Sequence, residues 1–174
     1  FRSRNGSYDV IIPGSGGKDS IMVSHLLKNK YNMNPLCVCV QPPLDTDIGK
    51  RNLDNFVNSG FNLIEIKPNR LITKEIAKNA LIKYGNPQLD WLFAIHAAPI
   101  RISLEYKIPF IMWGEEAESE YGGSDDLKNK TGFDLSHIQK YYRSNIDIKK
   151  LLRKKNHNNS DLYWLTLPEN KLFQ

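Results

Sequence analysis

The sequence is poor in cysteine: Cys37 and Cys39 are the only two among 174 residues. They alternate within an apolar run, so both are expected on one face of a strand, and the chain offers nothing to complete a zinc site with them. We expect two small buried thiols in a reducing compartment, which indicates a cytoplasmic protein. Long hydrophobic runs and a signal-peptide pattern are lacking too, so no contact with a membrane is expected.

The excess of positive charge is small. The sequence has 24 Lys and Arg against 19 Asp and Glu, a net charge of +5, which suits a polyanionic ligand such as a nucleotide and would also suit RNA. Much of this excess lies in residues 149–155, where no aromatic residue is interleaved with the basic ones. Such a run is typical of a solvated face. We therefore expect a nucleotide as the partner, and not a nucleic acid.

A glycine-rich turn lies between two apolar segments near the start of the sequence. Tyr8–Pro13 is predicted to form a short buried strand, and apolar residues recur at helical spacing from Ile21 to Leu27. Between them, Gly16 and Gly17 allow a sharp turn and the close approach of a ligand. The helix that follows directs its unpaired N–H groups and the positive end of its dipole into the turn. The stretch is therefore predicted to bind phosphate.

The residues of the turn distinguish between the kinds of phosphate loop. A Walker A loop needs Ser or Thr where Asp19 stands, and a dinucleotide-binding turn needs glycine there. Residues 15–20, S-G-G-K-D-S, instead match every position of the S-G-G-x-D-S signature and thereby resemble the PP-loop ATP pyrophosphatases. The resemblance implies that the loop holds the β- and γ-phosphates of ATP while the bond between the α- and β-phosphates is cleaved. Lys18 and Asp19 are the expected catalytic residues. The expected ATP contacts in the loop are Ser15, Gly16, Gly17, Lys18, Asp19 and Ser20.

The order of the apolar segments predicts an α/β fold. Strands are expected at Tyr8–Pro13, Leu36–Val40, Phe61–Ile66 and Ile108–Trp113. Buried strands that alternate with helices imply a parallel, doubly wound sheet with helices on both faces, Rossmann-like and of the adenine nucleotide alpha hydrolase (HUP) type. The second, third and fourth helices are expected to begin at the capping residues Asp47, Asn69 and Asp90, and the third helix is expected to end at Tyr84 and Gly85.

The same pattern divides the chain into two parts. We assign residues 1–123 to an ATP-binding domain and residues 124–174 to a C-terminal extension, because the alternation of strands and helices weakens beyond Ser124. The sequence begins without methionine and ends within a pattern, so we expect it to be part of a longer protein.

The remaining ligand contacts are expected at the carboxyl ends of the strands, where ligands of doubly wound sheets bind. Val40 and Gln41, at the end of the second strand, are predicted adenine contacts. An acidic stretch directly follows the fourth strand, and there Gly114 and Glu115 are predicted to face the nucleotide. Glu115 and Asp19 would together hold Mg²⁺, which takes carboxylate and phosphate oxygens.

Three segments together resemble the N-acetyl sugar amidotransferases of surface-polysaccharide and flagellin-sugar synthesis. They are residues 8–20, residues 46–52, and residues 113–115 together with 120–123. The resemblance implies that AMP is transferred from ATP to the carbonyl oxygen of a sugar N-acetyl group, which ammonia then attacks to give an acetamidino sugar. The expected partners are this sugar, free or nucleotide-linked, and a glutaminase subunit that supplies ammonia. Many members also carry paired cysteines upstream of the loop, and this sequence has none there.

Substrate contacts are expected along the same rim. The predicted set consists of Asp47, Arg51, His96, Arg101, Glu120 and Tyr121. Two other functions are left open: a PP-loop enzyme that modifies tRNA by thiolation or lysidine formation, and a nucleotide-binding module without catalysis. Assembly into a homo-oligomer is also left open.

Overall fold

The computed structural model describes residues 3, 6–115, 135–153 and 157–169. Three strands, β1 (Val10–Pro13), β2 (Pro35–Val40) and β3 (Asn62–Ile66), form a parallel sheet in the order β1-β2-β3. The main helices are α1 (Lys18–His25), which continues as a π-helix over Leu26–Lys30, α2 (Asp47–Asn58), α3 (Arg70–Tyr84) and α4 (Leu89–Tyr106). After them come a short helix α5 (Leu135–His137), a π-helix (Ile138–Tyr142) and two 3₁₀ helices (Ile148–Leu151 and Asn159–Leu162).

Both faces of the sheet are covered by helices, as the continuous apolar strands predict. Side chains alternate between the faces along each strand. One face carries Ile11 and Val38 and packs against α3 and α4, whereas the other carries Ile12 and Cys37 and packs against α1 and α2. The fold is therefore α/β with a parallel three-stranded sheet, an arrangement consistent with a Rossmann-like fold.

The predicted fourth strand is reduced to a single parallel bridge between Ile11 and Ile111. The Ile11 N–H donates to the Phe110 carbonyl (2.8 Å), and the Met112 N–H donates to the Ile11 carbonyl (2.9 Å). Pro109 suits the start of a strand and not its interior, because its φ is fixed and it has no N–H, so the paired stretch begins after it. The bridged segment borders β1, whose neighbour in the sheet is β2. The chain thus leaves β1 for β2 and β3 and later returns to β1, which is the reversal of strand order that marks ligand sites in such sheets.

The helix boundaries confirm two of the predicted signals and correct two others. Asn69 caps α3 by accepting from the Leu71 N–H (3.0 Å), and Gly85 ends this helix in the left-handed conformation, as predicted. The prediction that Asp47 caps α2 is wrong, since Thr46 accepts from the Gly49 N–H (3.0 Å). Asp90 does not cap α4 either, because the helix begins at Leu89 and places Asp90 in its first turn.

The chain after residue 134 packs against the same core as α3 and α4. The Arg143 guanidinium donates to the Phe93 carbonyl (2.5 Å), and the Asn79 side chain donates to the Leu151 carbonyl (2.7 Å). Leu151 and Leu165 are almost fully buried there. No helix within the described ranges is both long and apolar enough to cross a bilayer.

Candidate functional site

The glycine-rich loop leaves β1 at Gly14, whose N–H donates to the Val38 carbonyl (3.0 Å). Gly16 follows in the left-handed region (φ +77°), which glycine adopts without strain. The first residue of α1 is Lys18, and Gly17 stands at its N-cap without a side chain to satisfy the first N–H groups. The start of α1 therefore presents free backbone donors to the loop, as an anion site requires.

Backbone from two other parts of the chain holds the loop in place. A Cβ atom on Gly16 would lie 3.1 Å from the Leu53 nitrogen in α2. A Cβ atom on Gly114 would lie 2.9 Å from the Asp19 carbonyl carbon and 3.0 Å from the Ser20 nitrogen. The loop is thus fixed between α2 and the segment that follows the bridge to β1, with glycine at both points of closest approach.

The charged residues of the loop are accessible to solvent. The Lys18 ammonium lies 3.7 Å from an Asp19 carboxylate oxygen, and the two side chains are 92% and 41% exposed. The Ser20 hydroxyl donates to the Gly17 carbonyl (3.1 Å) and so helps to fix the turn. Glu115 is exposed and directly follows Gly114 at its contact with Asp19. The structure therefore brings the two predicted Mg²⁺ ligands to the same rim.

These two carboxylates fit a cation that takes most of its oxygens from phosphates and water. No group of three or more His, Cys, Asp and Glu side chains that could hold a metal ion occurs in the part of the chain that the structure describes. Mg²⁺ in nucleotide sites is typically held by one or two carboxylates together with the substrate phosphates. The assignment of Asp19 and Glu115 as Mg²⁺ ligands stays a prediction.

A cleft lies beyond the carboxyl ends of β2 and β3, against the first turns of α3 and α4. The Gln41 N–H extends the ladder by donating to the Ile66 carbonyl (2.9 Å), and the Trp91 indole N–H donates to the Val40 carbonyl (3.4 Å). These bonds place Val40 and Gln41 at the cleft, where the adenine contact was predicted. The cleft is lined by Val40, Gln41, Pro42, Pro43, Pro68, Arg70, Thr73, Asp90, Trp91 and Ala94.

Asp90 is the acidic residue among those that line this cleft, and the sequence predicts it as a helix cap and not as a ligand contact. Its side chain is buried, and its Oδ1 atom has no hydrogen-bond partner in the structure as described. Burial raises the pKa of the carboxyl group, and the nearby backbone N–H groups of Trp91 and of Asp90 itself oppose the shift. An Asp at the start of a helix usually indicates a cap, so no separate signal in the sequence indicates a role in the cleft.

His96 lies in the middle of α4 with its Nδ1 atom 2.7 Å from the Leu92 carbonyl. Its ring contacts those of Trp113 and Tyr142, with centroids 5.8 Å and 5.0 Å away. Burial lowers the pKa of the imidazole to about 4, because the charged form is poorly solvated there. His96 is therefore a neutral imidazole next to Trp113, the residue before Gly114.

The other predicted substrate residues have separate surroundings. Arg101 donates to the carbonyl (3.0 Å) and the hydroxyl (3.1 Å) of Thr166 and stacks on Tyr163, so it ties α4 to the end of the chain. Asp47 and Arg51 are exposed on α2. The predicted contacts at Glu120 and Tyr121 lie outside the described residues.

Comparison with known proteins adds little to this geometry. No protein-family model matches the chain. A stretch of 58 residues is 39% identical to "Uncharacterized protein MJ1599" of Methanocaldococcus jannaschii, and the match covers 33% of this chain and 20% of that protein. The chain thus spans about a fifth of the length of this relative.

One similar solved structure is that of a "predicted subunit of tRNA methyltransferase" from the same organism. It aligns with a TM-score of 0.46 and 20% identity over 80% of this chain and 65% of that one. A likeness at this level is too low to carry an argument about fold or substrate.

Proposed function

We propose that the chain binds ATP at residues 15–20 and cleaves it between the α- and β-phosphates, releasing pyrophosphate. The observation that carries this proposal is the loop itself. It has the complete S-G-G-x-D-S signature, lies at a strand-to-helix junction with free backbone donors, and is fixed by close backbone contacts at Gly16 and Gly114. Such a row of N–H groups at a helix N-terminus binds phosphate and other anions, and the signature favours the phosphates of ATP among them.

Each side chain of the loop has a role in this chemistry. Lys18 is free to follow the charge that develops on the departing pyrophosphate, and the backbone donors of α1 stabilise the same charge. Asp19 and Glu115 would hold Mg²⁺, which when bound neutralises phosphate charge and orients the phosphates. The chain's own contribution is mainly positioning and electrostatic stabilisation.

The proposal also covers the molecule that accepts AMP. The resemblance of three segments favours the carbonyl oxygen of a sugar N-acetyl group, followed by attack of ammonia from a glutaminase subunit. One of these segments includes residues 120–123, outside the described part of the chain, and neither comparison names a sugar.

RNA is the second candidate acceptor. It is favoured by the net charge of +5, which suits a polyanionic acceptor. The chemistry at the loop would be the same for both acceptors, so the choice between them requires a direct test.

Pyrophosphate release from ATP and Mg²⁺ tests the reaction and the acceptor together. The natural protein would be assayed with ammonium and a panel of UDP- and CMP-linked N-acetyl sugars, and separately with tRNA. Stimulation by a sugar supports the amidotransferase. Stimulation by tRNA alone, with a steep loss at higher salt, would replace it with RNA modification.

Asp19→Asn tests the site. We expect pyrophosphate release to fall by roughly 100-fold or more, because the Mg²⁺ that neutralises the phosphates would lose one of its two carboxylate ligands. The melting temperature should hardly change, since Asp19 forms only a solvent-exposed ion pair. Asp54→Asn, an exposed carboxylate on α2, is the matched control and should leave the rate unchanged. Wild-type turnover in Asp19→Asn would refute the assignment, and ATP binding without any pyrophosphate release would indicate a non-catalytic module.

A further inference from the structure

The cleft beyond β2 and β3 is lined largely by ring side chains. Four ring side chains, those of Pro42, Pro43, Pro68 and Trp91, contribute to its lining. The indole of Trp91 is held by its hydrogen bond to the Val40 carbonyl (3.4 Å). A planar heterocycle can stack on such walls and is held there by apolar contact.

Asp90 supplies the polar feature of the cleft. The side chain is only 6% exposed, yet its Oδ1 atom has no hydrogen-bond donor anywhere in the described chain. No ion pair within 4.0 Å joins Asp90 to Arg70 across the cleft, to judge from the described residues. Buried polar atoms are almost always paired, and an unpaired carboxylate oxygen is especially unfavourable. A ligand in the cleft that donates a hydrogen bond to the Asp90 carboxylate would therefore remove an unfavourable feature of the folded chain.

We propose that Asp90 accepts a hydrogen bond from the exocyclic amino group of a nucleobase that binds in this cleft. The inference rests on the proposed function, since the base is then the adenine of the ATP whose phosphates lie at residues 15–20. Asp90 is thus a specificity-determining residue, because the 6-amino group of adenine is a donor whereas the 6-oxo group of guanine is an acceptor.

The position of the cleft along the sheet agrees with this assignment. The loop begins level with Val38, which pairs with Pro13 and accepts from the Gly14 N–H. Val40 and Gln41 lie two and three residues further along β2, a displacement of roughly 7 to 10 Å at the usual rise of a strand. The ribose and the α-phosphate separate the base of ATP from its β- and γ-phosphates, so the base should be displaced from the loop.

Equilibrium binding of three nucleotides to wild-type protein and Asp90→Asn tests the inference. The ligands are ATP, GTP and purine riboside triphosphate, which lacks the 6-amino group. Wild-type protein should bind ATP roughly tenfold more tightly than either of the others, a typical discrimination for a good base contact. In Asp90→Asn the preference over GTP should vanish or reverse, because the amide can donate to the 6-oxo group. A preference for ATP over purine riboside triphosphate should persist in this variant, since the amide oxygen can still accept from the 6-amino group.

Two controls make the outcome decisive. Glu65→Gln changes an exposed carboxylate on β3 outside the cleft and should keep the wild-type preference. Wild-type protein that binds purine riboside triphosphate as tightly as ATP would overturn the inference without any variant. An unchanged preference for ATP over GTP in Asp90→Asn would overturn it as well. In both cases ATP binding itself persists. Failure of wild-type protein to bind ATP at all would instead overturn the proposed function, and this inference with it.

Discussion

At the scale of single residues, the titratable groups of α4 and its neighbours contrast with those of the loop. Burial acts on Asp90, His96 and Arg143 in the same sense, toward the neutral form. It raises the pKa of Asp90, lowers that of His96 to about 4 and lowers that of Arg143 to about 9, where nearby Arg101 adds to the effect. Lys18 and Asp19 of the loop are instead accessible to solvent. At neutral pH the His96 imidazole is therefore uncharged, whereas the Arg143 guanidinium, with a pKa of about 9, still carries its charge.

The pKa of His96 leads to a prediction about stability in acid. Its folded value of about 4 lies below the ordinary 6.5, so the unfolded chain binds a proton at a higher pH than the folded chain does. Stability should therefore fall as the pH decreases from 6.5 toward 4, by at most about 1.4 kcal/mol per pH unit from this residue.

Urea unfolding at pH 7 and at pH 4.5 measures this loss, and NMR titration of the His96 ring gives the pKa directly. His96→Gln removes the titrating group and should show a smaller decrease between the two pH values. An imidazole that titrates near 6.5 in the folded protein would contradict the burial of His96.

At the scale of elements, the loop and the start of α1 depend on two close backbone contacts. Gly114 is the more demanding of them, because a Cβ atom there would meet the backbone of Asp19 and Ser20 and not a movable side chain. Gly17 differs, since a Cβ atom there would find only the Ser15 hydroxyl oxygen at 3.7 Å, and its φ of −76° suits any residue. Gly114 is thus required by the packing of the backbone, whereas Gly17 leaves room at the start of α1.

Comparison of Gly114→Ala with Gly17→Ala separates these reasons. Gly114→Ala should destabilise the protein by about 1–3 kcal/mol, as overpacking does, and should weaken ATP binding because the start of α1 moves. Gly17→Ala should keep the wild-type melting temperature and weaken only ATP binding, because its Cβ atom occupies space that a phosphate needs. Thermal unfolding with and without ATP measures both. A wild-type melting temperature for Gly114→Ala would show that the close contact is absent in solution.

Local signals in the sequence account for much of the secondary structure but not for its details. The three apolar runs predicted β1, β2 and β3, and Asn69 and Gly85 marked the ends of α3, because strands and caps depend on adjacent residues. Thr46 and Asp47 are both good capping residues, so the sequence could not decide which of them caps α2. The length of the fourth strand was predicted too long. Residues 108–113 are apolar, but they pair with β1 only at Ile111, and pairing with a strand so distant in the sequence has no local signal.

At the scale of the whole molecule, the segments after residue 134 share the core of the sheet. Arg101 contacts Thr166, and Arg143 contacts Phe93, across 65 and 50 residues of sequence. No periodicity in the sequence indicates contacts between such distant residues, and the surroundings of His96 and Asp90 escaped prediction for the same reason. The loop at residues 15–20 could be predicted because its whole signature is contiguous.

Leu151→Ala tests how firmly the later segments belong to this core. Leu151 is 2% exposed, so its truncation should lower the free energy of unfolding by about 2–5 kcal/mol within a single cooperative transition. Lys150→Ala, an exposed neighbour in the same 3₁₀ helix, should change it by no more than about 0.5 kcal/mol. Urea unfolding followed by fluorescence and circular dichroism measures both. A separate early transition, or a loss as small as that of the control, would show that these segments pack independently.

The bridge at Ile11 has a consequence for motion. Two backbone hydrogen bonds, both made by Ile11, join Phe110 and Met112 to the sheet. β1 and β2, by contrast, pair over four residues. A local opening between residues 109 and 114 would therefore leave the pairing of β1 with β2 in place. Gly114, which packs against the start of α1, lies at the end of this short paired segment, so the rim of the candidate site is expected to open before the sheet does.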